Sequence, residues 1–86
     1  MPEVSSFFGI RITIYFDDHL PPHFHARYQS HRASVGIKRA EVIAGALPAP
    51  QLKLVLAWAV IHREELLRDW ELTQRHQPPV KIEPLA

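Results

Sequence analysis

The spacing of apolar residues changes from a period of two to a helical period at Pro48 and Pro50. Before this point, β-branched and aromatic residues alternate with polar ones, which is typical of half-buried strands. The alternation starts at Ile10 and is interrupted by Pro21 and Pro22, because proline lacks the amide donor that a strand needs. Short connections between such strands favour an antiparallel meander. The four predicted strands lie at residues 10–16, 24–28, 33–37 and 41–47.

The second half of the chain predicts one long helix from about residue 50 to residue 75, ended by Pro78 and Pro79. Steps of about 100° per residue place a broad apolar arc on one side of this helix. Residues 80–83 alternate again and predict a short C-terminal edge strand. The expected fold is α+β, a small antiparallel meander of about four strands packed on one long α-helix. The apolar arc contains Val55, Trp58, Ala59, His62, Leu66 and Trp70.

A chain of 86 residues predicts a single domain, residues 1–86, with one modest core. This small core and the wide apolar arc of the helix both favour a homo-oligomer or a small partner protein. The net charge of +1 argues against a strongly basic nucleic-acid-binding domain, and the absence of cysteine removes disulfides and thiolate metal sites. The N-terminus lacks the pattern of a signal peptide, and no apolar run approaches the roughly 20 residues of a membrane span. We therefore expect a cytoplasmic protein without membrane contact.

Residues 17–25 bring two carboxylates and three imidazoles together between the first and second predicted strands. If Phe24 points into the core, alternation places His23 and His25 together on the opposite face of the sheet. His19 precedes His23 by four residues, and the stiff pair of prolines between them could fold it back over the other two imidazoles. Any chemistry that this chain performs is predicted to involve this segment.

Three interpretations of the segment remain open, because its spacing matches no metal motif closely enough to decide. In the first, it binds a divalent metal such as zinc, which often takes three protein ligands and keeps a fourth position open. The metal ligands would be Asp17, His19, His23 and His25. In the second, imidazoles that titrate near neutral pH act as acid and base without a metal. The catalytic residues would be His19, His23, His25 and Asp18. In the third, the aspartates only cap the turn through bonds to backbone amides.

The outward face of the predicted sheet carries basic and aromatic side chains. Arg11 and Arg27 would hold phosphate groups, and Tyr15 offers a ring on which a base of single-stranded RNA could stack. A solvated polar face without any ligand explains the same pattern. The sequence therefore leaves both interpretations of this face open.

His62 falls near the centre of the apolar arc of the predicted helix. A histidine in that position is usually a neutral core residue with one hydrogen-bond partner. The alternative is that His62 reaches beneath the 17–25 segment and supports its histidines from below.

The 17–25 segment is part of a longer pattern that extends over nearly the whole chain. It includes Phe7-Phe8-Gly9-Ile10, Tyr15-Phe16-Asp17-Asp18-His19 and Pro21-Pro22-His23-Phe24-His25-Ala26. The helical half adds Leu52-Lys53-Leu54-Val55, Trp58, His62, Glu65-Leu66 and Trp70. Together these residues resemble the signature of a small prokaryotic family, the domain-of-unknown-function family 4160.

The resemblance implies a protein that works with a partner, because members are often encoded beside another small protein in the manner of toxin–antitoxin pairs. It transfers no catalytic residues, since none are established for the family. The leading hypothesis is an RNA-directed component of a two-protein, toxin–antitoxin-like module. The competing hypothesis is a non-enzymatic metal-binding or protein-interaction module, and whether the chain is an enzyme stays open between them.

Overall fold

Within residues 2–86, which the computed structural model describes, five strands form one antiparallel sheet and two helices follow. The strands are β1 (Glu3–Phe7), β2 (Ile10–Thr13), β3 (His23–Tyr28), β4 (His31–Gly36) and β5 (Glu41–Ala46), and the helices are α1 (Ala49–Ile61) and α2 (Arg63–Gln74). The strands pair in chain order, so that β3 lies at the centre of the sheet with two strands on either side. The predicted α+β fold with an antiparallel meander is therefore confirmed.

Strand β1 has no counterpart among the predicted strands. Its pairing with β2 shifts register between Glu3 and Ser5, and such a bulge breaks the alternation by which a strand is recognised in a sequence. Phe8 and Gly9 then connect β1 to β2 with φ angles of 49° and 78°. Two successive left-handed residues form the hairpin turn that matches the twist of the strands, and glycine adopts this conformation without steric cost.

The apolar core lies between the inner face of the sheet and the helices. Alternate strand residues turn toward this face and are buried. Trp58 of α1 packs against the sheet, because its ring centroid lies 5.3 Å from that of Phe7 and 5.7 Å from that of Phe24. A buried tryptophan removes more apolar surface from water than most core side chains, so this contact anchors α1. The strands contribute Val4, Ile10, Ile12, Phe24, Ala26, Ala33 and Val35 to the core.

The prediction of one long helix is wrong, since α1 and α2 meet at a break centred on His62. The backbone of His62 has φ −107° and ψ 26°, outside the helical range. Its Nδ1 lies 2.6 Å from Oε1 of Glu65, and both Glu64 and Glu65 lie in the first turn of α2, where the helix dipole favours negative charge. A straight helix would place Trp58 and Trp70 about 120° apart around its axis. Both are buried, and the break allows both rings to face the core.

The segment after α2 packs across the core without forming a strand. The predicted edge strand at residues 80–83 is therefore wrong, and the prolines on either side explain why, since each removes an amide donor from a sheet ladder. A single backbone bond joins this segment to β1, from the amide of Ile82 to the carbonyl of Val4 at 2.8 Å. The Nε1 of Trp58 donates to the carbonyl of Glu83 at 2.9 Å, which fixes the segment over α1. Neither helix is long and apolar enough to cross a bilayer.

Candidate metal centre

One aspartate from the β2–β3 loop and two histidines from the start of β3 come together on one side of the sheet. His23 and His25 share a face of β3 opposite the buried Phe24, as the alternation predicted, and their ring centroids lie 5.0 Å apart. Oδ2 of Asp18 lies 2.9 Å from Nε2 of both histidines. One potential ligand atom from each of the three residues lies within 4.8 Å of the others. These three residues, Asp18, His23 and His25, are called the His–Asp cluster below.

A backbone carbonyl fixes which nitrogen of His23 carries a hydrogen. Nδ1 of His23 lies 2.8 Å from the carbonyl oxygen of Pro21, and because a carbonyl only accepts, Nδ1 must donate. In a neutral imidazole the other nitrogen, Nε2, then presents its lone pair. This lone pair faces the carboxylate oxygen of Asp18 at 2.9 Å. Two electron pairs repel at that distance, so the contact is favourable only with a positive charge between them, which is either a proton shared by His23 and Asp18 or a metal ion.

His25 is held in a way that permits either tautomer. Its Nδ1 lies 3.3 Å from Oγ of Ser34, its direct cross-strand partner on β4. A hydroxyl can donate or accept, so Ser34 can support a hydrogen on Nδ1 or a lone pair there. The ring of Tyr15 packs edge-on against the imidazole with a centroid distance of 4.4 Å. His25 can therefore donate to Asp18 as a neutral imidazole or present a lone pair to a cation.

Burial differs across the cluster and determines where solvent can reach it. The side chain of His23 is 3% exposed, and its ring centroid lies 5.3 Å from that of Trp70. The side chains of Asp18 and His25 are 14% and 29% exposed. Burial raises the pKa of the Asp18 carboxyl, but hydrogen bonds from His25 and the amide of His19, with the nearby imidazoles, outweigh burial and hold that pKa below its ordinary value. The cluster therefore contains a carboxylate at neutral pH, reachable from solvent at Asp18 and His25.

The two other predicted residues of this segment lie at the edge of the cluster or outside it. Nδ1 of His19 lies 3.2 Å from Oδ1 of Asp18, but the side chain of His19 is 86% exposed. Asp17 instead pairs with His76, whose Nε2 lies 3.1 Å from its Oδ1. The compact group thus includes Asp18, leaves His19 available at its edge and excludes Asp17.

The C-terminal end of α2 fastens the loop that carries the cluster. Nε2 of Gln74 donates to the carbonyl of Asp18 at 3.2 Å, and His76 pairs with Asp17 one residue earlier in the loop. Gln74 and Asp18 are 56 positions apart in the sequence. No local pattern in the sequence indicates such a contact. Gln74 of α2 and His76 just after it were therefore not predicted to belong to the site.

His62 is not brought to the cluster. Its ring packs against that of Trp58 with a centroid distance of 5.4 Å, and its Nδ1 bonds to Glu65. Both contacts belong to the break between α1 and α2. His62 therefore has the packing role with one hydrogen-bond partner rather than a place beneath the loop.

The outer face of the sheet forms a groove that begins at the cluster. Three arginines face one another directly across β2, β3 and β4, with Arg11 opposite Arg27 and Arg27 opposite Arg32. The neighbouring row contains Thr13, His25 and Ser34. This groove, called the arginine groove below, has a volume of about 790 Å³ and is lined by both rows and by Tyr15. Arg11, Tyr15 and Arg27 were expected on this face, whereas Arg32 was not among the predicted binding residues.

The matched family model covers the cluster and the row of three arginines together. The family model described as a domain of unknown function (DUF4160) matches residues 9–71. The chain belongs to this family. The DUF4160 match includes the three cluster residues and the three arginines, and it ends before Gln74 and His76. No curated protein and no solved structure matches the chain.

Proposed function

We propose that the His–Asp cluster binds a divalent transition-metal ion, with zinc as the first candidate. The supporting observation is the hydrogen bond from Nδ1 of His23 to Pro21, which directs the lone pair of Nε2 at the Asp18 carboxylate. A metal ion between these groups removes their repulsion without protonating His23. A histidine that ligates a metal usually donates its other ring N–H to a carbonyl or carboxylate, which is the arrangement of His23 here.

The donor set suits a metal that keeps an open coordination position. Two imidazoles and one carboxylate hold zinc in several hydrolytic sites, where water or substrate takes the fourth position. The same three donors bind iron(II) as a facial triad, so iron(II) is the second candidate. The chain has no cysteine, the ligand that most structural zinc sites use. A metal with an open position polarises a bound oxygen, and hydrolysis is the reaction class that this supports.

The distances between the donor atoms define the movement that would admit the ion. Zinc–ligand bonds of about 2.0–2.1 Å in tetrahedral geometry separate two ligand atoms by roughly 3.3 Å. Oδ2 of Asp18 lies 2.9 Å from both Nε2 atoms, so each of these distances has to grow by about 0.4 Å. The two Nε2 atoms, which lie within 4.8 Å of each other, also have to take this separation, and that movement falls to the more exposed His25 while Pro21 holds the ring of His23.

Metal analysis of protein purified without a histidine tag, followed by calorimetric zinc titration, tests the proposal. We expect a single ion per wild-type chain and no measurable binding by the double variant His23→Ala, His25→Ala. His31→Ala is the matched control, because His31 is exposed at the start of β4 and outside the cluster. The single variants His25→Ala and Asp18→Asn repeat the measurement without emptying the buried position of His23. Equal, negligible metal in the wild type and the double variant would eliminate the proposal.

A second candidate function follows if a proton on His23, rather than a metal ion, lies between His23 and Asp18. The resulting imidazolium beside His25 would provide an acid and a base for phosphodiester cleavage without a metal. This corresponds to the RNA-directed component of a toxin-like, two-protein module. Inducing the protein without its genetic neighbour tests it: arrested growth with cleaved RNA supports the function, and normal growth with intact RNA excludes it.

We further propose that the chain associates with a second copy through α1. Support comes from Val60 and Ile61, whose side chains are 54% and 65% exposed at the end of this helix, because exposed apolar side chains in proximity favour association. Light scattering should then give a mass of twice 9.9 kDa. A monomer mass would exclude the homodimer and leave association with a different protein.

A further inference from the structure

We infer that the arginine groove binds a short single-stranded segment of nucleic acid through its phosphodiester backbone. The inference starts from the register of the sheet, in which Arg11, Arg27 and Arg32 are direct cross-strand partners. Like charges placed directly opposite each other destabilise a sheet. A bound polyanion offsets this repulsion, whereas a groove without a ligand retains it.

The carboxylates of the chain neutralise little of this charge. Glu3 is the acidic residue that lines the groove, and its two oxygens lie 3.7 Å from Arg11 and 3.7 Å from Lys81. Within residues 2–86, neither Arg27 nor Arg32 has a carboxylate within ion-pair distance. At least two guanidinium groups therefore face the groove without a counter-charge from the protein.

The row of arginines is long enough to contact more than one phosphate of a single-stranded nucleic acid. Neighbouring strands of a sheet lie about 4.8 Å apart, so the row of three arginines extends over roughly 10 Å. Duplexes are usually read by a helix or a narrow ribbon that enters a groove of the nucleic acid. An open sheet face with aromatic rings instead takes single strands, whose bases can stack on the rings. Tyr15 lines the groove on the side of the cluster and supplies such a ring.

The groove and the cluster share a residue, because His25 belongs to both. Arg27 and His25 are two positions apart on β3, so they lie on the same face about 6.7 Å apart. A phosphate held by Arg27 is therefore followed by a nucleotide close to Asp18 and His25. That the bound nucleic acid is a substrate of the metal centre rests on the proposed function. Its binding to the arginines does not.

Fluorescence anisotropy of the full chain with labelled polyuridine of about 12 nucleotides tests the inference. Wild-type binding should weaken as salt rises, because each phosphate contact releases counterions. In the double variant Arg27→Gln, Arg32→Gln, affinity should fall about tenfold or more. The slope of log K against log salt should fall by about 1.4, at about 0.7 per phosphate contact of a single strand. The control Arg63→Gln, Arg68→Gln removes the same charge from exposed positions of α2 and should retain wild-type affinity.

Equal affinities and equal salt slopes in the two double variants would overturn the inference, as would tighter binding of a duplex of the same length. Polythymidine serves as the DNA arm: equal binding assigns the groove to the phosphodiester chain common to both, and tighter binding of RNA adds a contact to the 2′-hydroxyl. Removing like charges from the row should raise the thermal midpoint, so a melting curve separates lost binding from unfolding.

Repeating the anisotropy measurement in a chelator separates this inference from the metal proposal. Binding that persists in the chelator supports the groove even if the cluster holds no metal. If no binding remains in the chelator, the inference that the arginines alone bind the nucleic acid is overturned. Zinc titration of the wild type reports on the cluster independently.

Discussion

Nδ1 of His23 donates a hydrogen bond to the carbonyl oxygen of Pro21 over 2.8 Å. Because the acceptor lies only two residues earlier in the chain, local backbone sets the orientation of the ring before any ligand binds. Trp70 covers the ring from the helical side, which restricts rotation further. One side chain of the cluster is therefore preorganised, and under the proposed function any adjustment to a metal ion would be left to the carboxylate and to His25.

Loss of the Ser34 hydroxyl should weaken metal binding without loosening the sheet. Ser34 supports Nδ1 of His25 from β4, and removing such a partner of a ligating histidine typically costs at least tenfold in affinity, so we expect about tenfold weaker zinc binding for Ser34→Ala. Thr13 stands on the other side of His25 in the same row, which makes Thr13→Val the matched control. Zinc titration of both variants checks this, and equal affinities would contradict a positioning role for Ser34.

Releasing the loop from α2 should also weaken the centre. Gln74→Ala removes the bond to the Asp18 carbonyl, so the carboxylate loses a support of its backbone. We expect a several-fold loss of zinc affinity and a change in unfolding free energy below about 1 kcal/mol, because the bond is exposed. Gln77→Ala, an exposed glutamine beyond α2, should match the wild type in calorimetry. A Gln74→Ala protein with unchanged affinity would mean that the loop keeps its shape without α2.

Gly45 should not tolerate a side chain. It lies in β5 with φ +74°, and a Cβ there would clash with the carbonyl oxygen of Arg32. Gly45→Ala should lower the unfolding free energy by roughly 1–3 kcal/mol through backbone strain, measured by urea denaturation. Gly36→Ala is the comparison, because the nearest atom to its Cβ would be 3.6 Å away. Similar losses in both variants would show that the left-handed backbone and the close approach at Gly45 carry no special cost.

The buried carboxyl of Asp69 should make stability depend on pH. Asp69 is 1% exposed, its Oδ1 accepts the amide of Val80 at 2.9 Å, and its Oδ2 has no partner among residues 2–86. Burial raises the pKa of this carboxyl, and the bond from Val80 lowers it by less. Since the folded protein binds the proton more tightly than the unfolded chain, this contribution to stability is complete below the ordinary pKa of 3.8 and is lost as pH rises through the folded pKa.

Asp69→Asn removes that ionisation and keeps an acceptor for the amide of Val80. Relative to the variant, the wild type should therefore lose stability as pH rises above 3.8. Urea denaturation at a series of pH values measures the difference, with Glu71→Gln as the control at an exposed position of the same helix. Parallel profiles for the wild type and Asp69→Asn would contradict the raised pKa.

The shared face of His23 and His25 could be predicted because strand alternation is a local property. The near-complete burial of His23 could not, since the ring that covers it belongs to Trp70 on α2 and no sequence pattern gives that docking. Likewise, the position of Arg32 opposite Arg27 could not be predicted, because it depends on the exact turn between β3 and β4. Contacts that depend on strand register, or on residues far apart in the sequence, could be identified only from the structure.

Two errors in the predicted fold have local causes. A bulge in β1 hides the period of two, so this strand was not recognised. The helix break at His62 lacks the proline or glycine that normally indicates one, and a side-chain contact with Glu65 accompanies it. The edge strand predicted at residues 80–83 does not form, because the prolines on either side of this short alternating pattern remove amide donors that a strand needs.

Strand β3 carries Phe24 and Ala26 on one face and the imidazole and guanidinium groups on the other. A slip of this strand by one position against its neighbours would exchange the two faces, exposing the phenylalanine and burying charge. A shifted pairing of β3 therefore costs free energy in two ways, because apolar side chains leave the core and charged side chains leave the groove. A single-residue insertion within residues 23–28 should accordingly abolish folding, whereas insertions in the β4–β5 turn need only lengthen a connection.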